Sequence, residues 1–474
     1  MIRLFLAAAL LTTAAGARGG VLFTNLFSFD GTNGSGPSAA LMQARDGYFY
    51  GTTSGGGTNS TYGYGTVFKM DSNGSLTTLY QFGQVINTNI SYDPLDGATP
   101  FCTLAQGSDG KLYGTTLWGG TNNGGTVFSI TTNGTLTTVY SIGTLGGVAD
   151  GCGSEAGLVL GSDGIFYGVA NQAGTNGYGT VFRITTNGAF AVLHTFNDLT
   201  DGGSPYTAGL AFGNDGNLYG ATLQGGANYG GTVFRVTASG ALTTLLAFDG
   251  TNGARATGGL VPGTDGCLYG TTRSGQAIIH YAVDEGPGTV FRMTTNGVLT
   301  TLAYFDTTNG DSPDAPLVQG RDGNFYGTTS GGGTNGAGTV FRITPNGELT
   351  SLYSFAAGSC QSQEPMAGLV QGSDGNFYGT TGGGGTFGYG TVYRLTLIAP
   401  PAPVFRSIAQ TNGTLTLTWS TEAGATYQAL YATDANSTNW MNLGSAVTAT
   451  GTTLSATDSI ANDARRFYRV AALP

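Results

Sequence analysis

Apolar and polar positions alternate along most of this chain in short runs, broken by Asp-Gly, Asn-Gly and Gly-Gly pairs. A period of two places successive side chains on opposite faces of a strand. Residues 316–320, 324–329, 338–344 and 348–355 read as four such strands, with Asp322-Gly323 and Asn346-Gly347 at two of the turns. Both dipeptides tolerate positive φ, so tight primed hairpin turns are expected there.

The same unit recurs. Asp-Gly-x-aromatic/Leu-Tyr-Gly begins at Asp46, Asp109, Asp163, Asp215, Asp265, Asp322 and Asp374. Each copy leads to Gly-Thr-Val-Phe/Tyr, starting at Gly65, Gly125, Gly179, Gly231, Gly288, Gly338 and Gly390. A leucine stands five residues before every one of these aspartates, from Leu41 to Leu369. Four antiparallel strands at steps of 50 to 63 residues match the blade of a β-propeller. The seventh copy runs into Pro400-Pro401 without a fourth strand, whereas residues 21–34 look like a fourth strand with its exit loop. The expected fold is all-β: a seven-bladed β-propeller over 18–398, closed by the N-terminal strand. Such closure removes two sheet edges that would invite aggregation. Past a Pro-rich linker at 399–403 the glycine-rich repeats stop. Alternation at 414–419, 426–431, 452–458 and 466–470 fits a small β-sandwich of immunoglobulin or fibronectin III type over 404–474.

Composition narrows the picture. There are 84 glycines among 474 residues and 9% charged residues, against roughly 7% and about 25% in ordinary domains. Glycine allows close approach of neighbouring sheets, and 24 Tyr and 25 Phe supply apolar area for a core. The net charge is −10, with no run of Lys or Arg, which excludes a nucleic-acid partner. The basic start Met1-Ile2-Arg3, the apolar Leu4 to Leu11 and the ending Ala15-Gly16-Ala17 read as a signal peptide over 1–17. The apolar run is too short to span a bilayer, and no other segment is apolar enough, so no transmembrane segment is expected. A secreted or cell-surface monomer follows.

Export permits disulfides. Cys102, Cys152, Cys267 and Cys360 lack the C-x-x-C spacing of zinc ligands. Cys102 and Cys152, from neighbouring repeats, are the first pair to test, with free buried thiols as the alternative.

The recurring GSDGNFYGTTSGGGTN and GxGTVFRITxNGxLTSLYSF segments resemble the GloVer-type (choice-of-anchor) tandem repeat over roughly residues 22–397. That resemblance implies an exported bacterial protein, of a kind in which such arrays are joined to varying C-terminal anchoring or sorting modules. It transfers no catalytic residue.

Candidate chemistry is sparse. His194 stands where other copies have Tyr80, Tyr140 and Tyr353, so it reads as a tyrosine replacement on an outer strand. His280 lies in a long insertion with Tyr281, Asp284 and Glu285 and reads as a solvated loop residue. The repeated aspartates bring one carboxylate per block, whereas calcium loops need several oxygens at alternate positions; they read as turn residues. The glycine runs at 55–57 and 382–385 lack the Lys-Ser/Thr of a phosphate loop. No catalytic set, metal site or cofactor is expected.

Loop lengths single out one end of the repeats. Five residues always separate the repeated Asp from the Gly of Tyr-Gly, but 11 to 18 separate that Gly from Gly-Thr-Val. The connections between repeats vary too and emerge at the same end, where binding residues are expected. Tyr62, Tyr64, Trp118, Tyr178, Tyr229, Phe387 and Tyr389 fall in these variable loops, beside Asn122, Asn123, Asn176 and Asn228. Such rings stack on sugar faces; the alternative is that they cap blade interfaces. The function expected is a non-catalytic exported scaffold that binds carbohydrate or a cell-surface protein. The rival is a hydrolase or lyase acting on polysaccharide or lactone with a loop-bound metal, drawing on Asp150, Glu155, Asp201, Asp284, Glu285, Asp311 and Glu364.

Overall fold

A computed structural model describes residues 20–59, 63–87, 93–143, 150–205, 209–275, 286–356, 365–398, 402–422, 425–434, 437, 439–459 and 466–473. The expected signal peptide, His280, Asp284, Glu285, Cys360, Glu364 and Tyr62 lie outside these residues. The chain divides into a unit spanning Phe23–Leu395 and a second built from its remaining ends.

The first unit is β-propeller-like. Among the described residues it holds seven four-stranded antiparallel sheets. In the sixth repeat the strands are Val318–Gln319, Phe325–Thr329, Thr339–Ile343 and Leu349–Ser354. The second and third are almost wholly buried, while the fourth exposes its threonine and serine. Six sheets follow chain order. The remaining one sets Gly20–Ser28 beside Thr391–Ile398, then Phe377–Thr381 and Val370–Gln371.

The turns differ from the primed hairpins expected. Gly323 N–H donates to Gly320 O at 2.9 Å, and Gly320 N–H donates to Asn324 O at 2.8 Å. Only Gly323 takes positive φ, +83°. This is a three-residue loop, a type I turn followed by a left-handed glycine. The aspartate keeps an ordinary φ because its carboxylate is engaged: Oδ1 accepts Asn324 N–H and Oδ2 accepts the Tyr326 hydroxyl at 2.7 Å. All seven repeats carry that Tyr-to-Asp bond, at 2.7 to 2.9 Å. The repeated aspartates are thus turn residues that also anchor the buried tyrosine.

The Gly after that tyrosine is required by a close approach. A Cβ on Gly327 would come 2.6 Å from Phe341 Cζ and 2.8 Å from Leu317 Cδ2. The leucine, the Tyr-Gly and the Val-Phe (Val-Tyr in the seventh copy) of each repeat therefore form one packing unit, which explains their co-recurrence. Neighbouring sheets join through the tyrosine ring: Tyr113 on Phe166 (centroids 4.4 Å apart), Tyr269 on Phe325 (3.9 Å) and Tyr326 on Phe377 (4.2 Å). The seventh sheet meets the first in the same way, Tyr378 on Phe49 at 4.2 Å. At that junction Thr380 Oγ1 also donates to Ala39 O at 3.2 Å.

Both members of the expected Cys102–Cys152 disulfide are free thiols, a correction with a positional cause. The repeat places them at different levels. Cys102 is fully buried where other copies have Ala39, Ala156, Ala315 or Ala367, and its sulfur accepts Thr115 N–H at 3.1 Å. Cys152 lies four repeat positions earlier in its own copy, in a backbone bridge to Gln172.

In the second unit, Phe405–Thr411, Thr414–Ser420 and Thr453–Ser459 form one sheet. Thr426–Ala432 pairs with Met441–Asn442, Val447–Thr448 and Phe467–Leu473 in another. Leu415, Leu417 and Trp419 from the first sheet share a core with Tyr427 and Ala429 from the second. Asp458 accepts two bonds from Arg466 Nη1, at 2.7 and 2.6 Å, and one from Tyr468 at 2.8 Å.

Candidate functional site

Antiparallel order sends the loops between second and third strands, and those between successive sheets, to one end of the unit. There the chain departs from repetition. Among the described residues it contains no grouping of three His, Cys, Asp or Glu side chains able to hold a metal, and no helix long and apolar enough to cross a membrane.

Several acids of this end serve the loops themselves. Asp96, buried like Asp150, accepts the Tyr80 hydroxyl at 2.8 Å and Gly83 N–H at 3.1 Å. Asp150 accepts the Tyr140 hydroxyl at 3.0 Å and Gly143 N–H at 2.8 Å. Asp201 lies 2.6 Å from His194 Nε2 and accepts Asn197 N–H at 2.6 Å. His194 therefore takes the place of Tyr80 and Tyr140, as a partner to the loop aspartate. In other repeats Asn33, Asn252 and Asn309 do this work from the side-chain oxygen, each accepting the N–H of an aspartate three residues earlier. Asp150 and Asp201 thus anchor loops through hydrogen bonds; their pairing with an outer-strand ring was readable only from the matching Tyr and Asp positions.

The aromatic residues divide by position. Tyr64, Tyr178 and Tyr389 are equivalent, each one residue before Gly-Thr-Val. Their rings lie over the next connection: a Cβ on Gly83, Gly203 or Gly31 would meet them at 2.3, 3.1 and 3.2 Å. Their carbonyls accept N–H groups from Thr99, Ser204 and Gly36 of the following repeat. These three cap the junctions between sheets. Trp118, Tyr229 and Phe387 occupy three other repeat positions and are exposed like Tyr178 and Tyr389, Phe387 most of all at 59%. Tyr229 holds φ +59°, a left-handed conformation costly for a bulky side chain. Asn122 and Asn176 are already used, donating to Gly143 O and Phe196 O.

A polar group missed by the sequence reading lies where the connections enter the first strands of the fifth and sixth sheets. Asp314 accepts Ser330 Oγ at 2.8 Å and Thr257 Oγ1 at 3.3 Å, with Arg273 Nη1 3.8 Å away. Burial pushes its carboxyl above the usual range, and the guanidinium opposes that shift. In the third repeat, Asn171 Nδ2 donates to Glu155 at 3.1 Å. Glu155 and Asn171 stand at the repeat positions of Asp314 and Ser330; at the place of these two acids other copies have Ser38, Phe101, Thr207, Thr257 or Met366.

Likeness to known structures is broad and shallow. The extracellular domain of a protein classed as a hybrid two component system from B. thetaiotaomicron aligns at 13% identity and TM-score 0.45, over 95% of this chain and 55% of that one. This chain thus spans about half the length of that relative. A gluconolactonase from Xanthomonas campestris aligns at 14% identity and TM-score 0.35, over 66% of this chain and 94% of that one. A polysaccharide lyase, an ulvan lyase, aligns at 11% identity and TM-score 0.44, over 83% and 92%. No curated protein matches the chain. The Gloeobacter/Verrucomicrobia repeat matches three times in tandem, over residues 16–151, 144–280 and 279–447, the last running past the repeat boundary expected at 398. With its array of recurring four-stranded sheets and these consecutive matches, the chain belongs to the Gloeobacter/Verrucomicrobia repeat family.

Proposed function

We propose that this protein is an exported, non-catalytic scaffold: a closed seven-bladed propeller carrying a small immunoglobulin-like sandwich, which binds carbohydrate or a cell-surface protein through its variable end. One observation carries the reading. The repeated aspartates and the tyrosines bonded to them hold turns and sheets together, whereas Trp118, Tyr229 and Phe387 are exposed and set on the same end as the exposed Tyr178 and Tyr389. Exposed aromatic residues on a rigid framework suit recognition. The burial of Asp150 and Asp201 weighs against the hydrolase or lyase alternative, because both carboxylates are spent on loop hydrogen bonds.

A glycan array probed with the full secreted chain tests this, alongside Trp118→Ala, Tyr229→Ala and Phe387→Ala. Loss of at least tenfold in binding at unchanged melting temperature supports the reading. Release of reducing or unsaturated ends from polysaccharide by the purified protein would replace it with the enzymatic alternative.

A further inference from the structure

We infer that the cleft between the fifth and sixth sheets is a subsite for a neutral, polyhydroxylated ligand, a sugar ring with adjacent hydroxyls; this rests on the carbohydrate reading above. The cleft is lined by Arg273, Ser274 and Pro287 from one sheet and Thr307, Asp311 and Ser312 from the next.

Repetition shows which of these side chains the fold does not need. At the place of Asp311 the other repeats carry Ser35, Ala98, Cys152, Gly203 and Ala254, and all make the same kind of backbone bridge. At the place of Arg273 they carry Ser54, Leu117, Asn171, Leu223 and Ser330. Backbone pairing at both places is thus indifferent to the side chain. Between these two sheets a guanidinium and a carboxylate meet across the junction, Arg273 Nη1 lying 3.8 Å from Asp314 Oδ1.

Charge selects the ligand class. Arg273 opposes a cation, and Asp311 with Asp314 opposes an anion. A neutral ligand avoids both penalties and uses both groups, because a carboxylate accepts from two neighbouring hydroxyls while a guanidinium donates to an oxygen. The arrangement is held from behind. Asp314 is fixed by Ser330 and Thr257 and stands 3.8 Å from Arg273, near enough to orient the guanidinium and too far to occupy it. Ser312 Oγ donates to Asp311 Oδ1 at 3.1 Å, leaving Oδ2 for a ligand hydroxyl. Pro287 supplies an apolar wall where other junctions carry Tyr64, Tyr178 or Tyr389.

The test is isothermal titration of the full chain with cellobiose, maltose, chitobiose and digalacturonate. At least one neutral disaccharide should bind tenfold or more tightly than digalacturonate, and Asp311→Ala and Arg273→Gln should each weaken it at least tenfold at unchanged melting temperature. Unchanged affinity in both variants overturns the subsite while leaving carbohydrate binding elsewhere intact. Tighter binding of digalacturonate overturns the assignment to neutral ligands. A melting temperature lowered equally by Asp311→Ala and Asp311→Asn assigns Asp311 to the fold and also overturns it. Binding of no sugar on the array or in titration overturns both this inference and the carbohydrate reading.

Discussion

Phe49, in the first repeat, and Tyr378, in the last, pack with ring centroids 4.2 Å apart and planes tilted by 35°, the same contact that joins Phe377 to Tyr326 within the array. The junction between the two ends of the array is thus built like an internal one. Nearby, Phe29 is fully buried, donates its N–H to Gly390 O at 3.0 Å and packs edge-on against Phe68. Phe29→Ala should cost about 3–5 kcal/mol, read as a lowered denaturant midpoint. Deleting residues 21–34 should leave an aggregating protein, because two sheet edges open at once. A monomeric deletion variant of undiminished stability would contradict the role of this strand.

Glycines of two kinds predict opposite outcomes. Gly327→Ala forces a Cβ to within 2.6 Å of the Phe341 ring, and overpacking of that sort costs about 1–3 kcal/mol. At Gly383 a Cβ meets nothing within 4 Å and φ is not positive. Gly383→Ala should be neutral or stabilise by about 0.4–1 kcal/mol. Chemical denaturation of the two variants checks the contrast.

The tyrosines bound to the turn aspartates govern alkaline stability. Burial, then the bond to the neighbouring carboxylate, pushes the phenols of Tyr50, Tyr167, Tyr269 and Tyr378 up to about 12. A raised folded-state value gives stability that is complete below pH ~10, the unfolded value, and is lost as pH climbs towards 12. The opposite sign holds for Asp46, Asp265 and Asp374. Their carboxyls are held below the usual range by hydrogen bonds from tyrosine and backbone that outweigh burial. Their contribution is present above pH ~4 and lost on acidification. Absorbance titration at alkaline pH should show a late group of phenols coinciding with unfolding, and Tyr167→Phe with Tyr269→Phe should remove part of it.

Thiol reactivity should separate Cys102 from Cys152. Burial pushes the Cys102 thiol up to about 11, and a buried, protonated thiol is inert. Peptide mapping after alkylation of the native protein should find Cys152 modified well before Cys102, with both modified after denaturation. Recovery of a Cys102–Cys152 disulfide peptide from protein never exposed to reductant would contradict the positions seen here.

What the sequence determined by itself was local and periodic: the strands, their grouping in fours, the recurrence of the unit, and the pairing of an N-terminal strand with an incomplete last repeat. Alternation at period two and recurrent dipeptides act over a few residues, so they survive any arrangement of the sheets. What only the tertiary structure decided depended on neighbours across a junction. Turn type followed from Asp322 reaching Tyr326, the burial of Asp150 from a loop folding onto Tyr140, and the capping role of Tyr178 from the nearness of Gly203. Arg273 and Asp314 meet because the fifth and sixth sheets abut. Nothing in the local pattern of either residue encodes that distance, since the desolvation and hydrogen bonding that define such sites come from chain segments brought together only by folding.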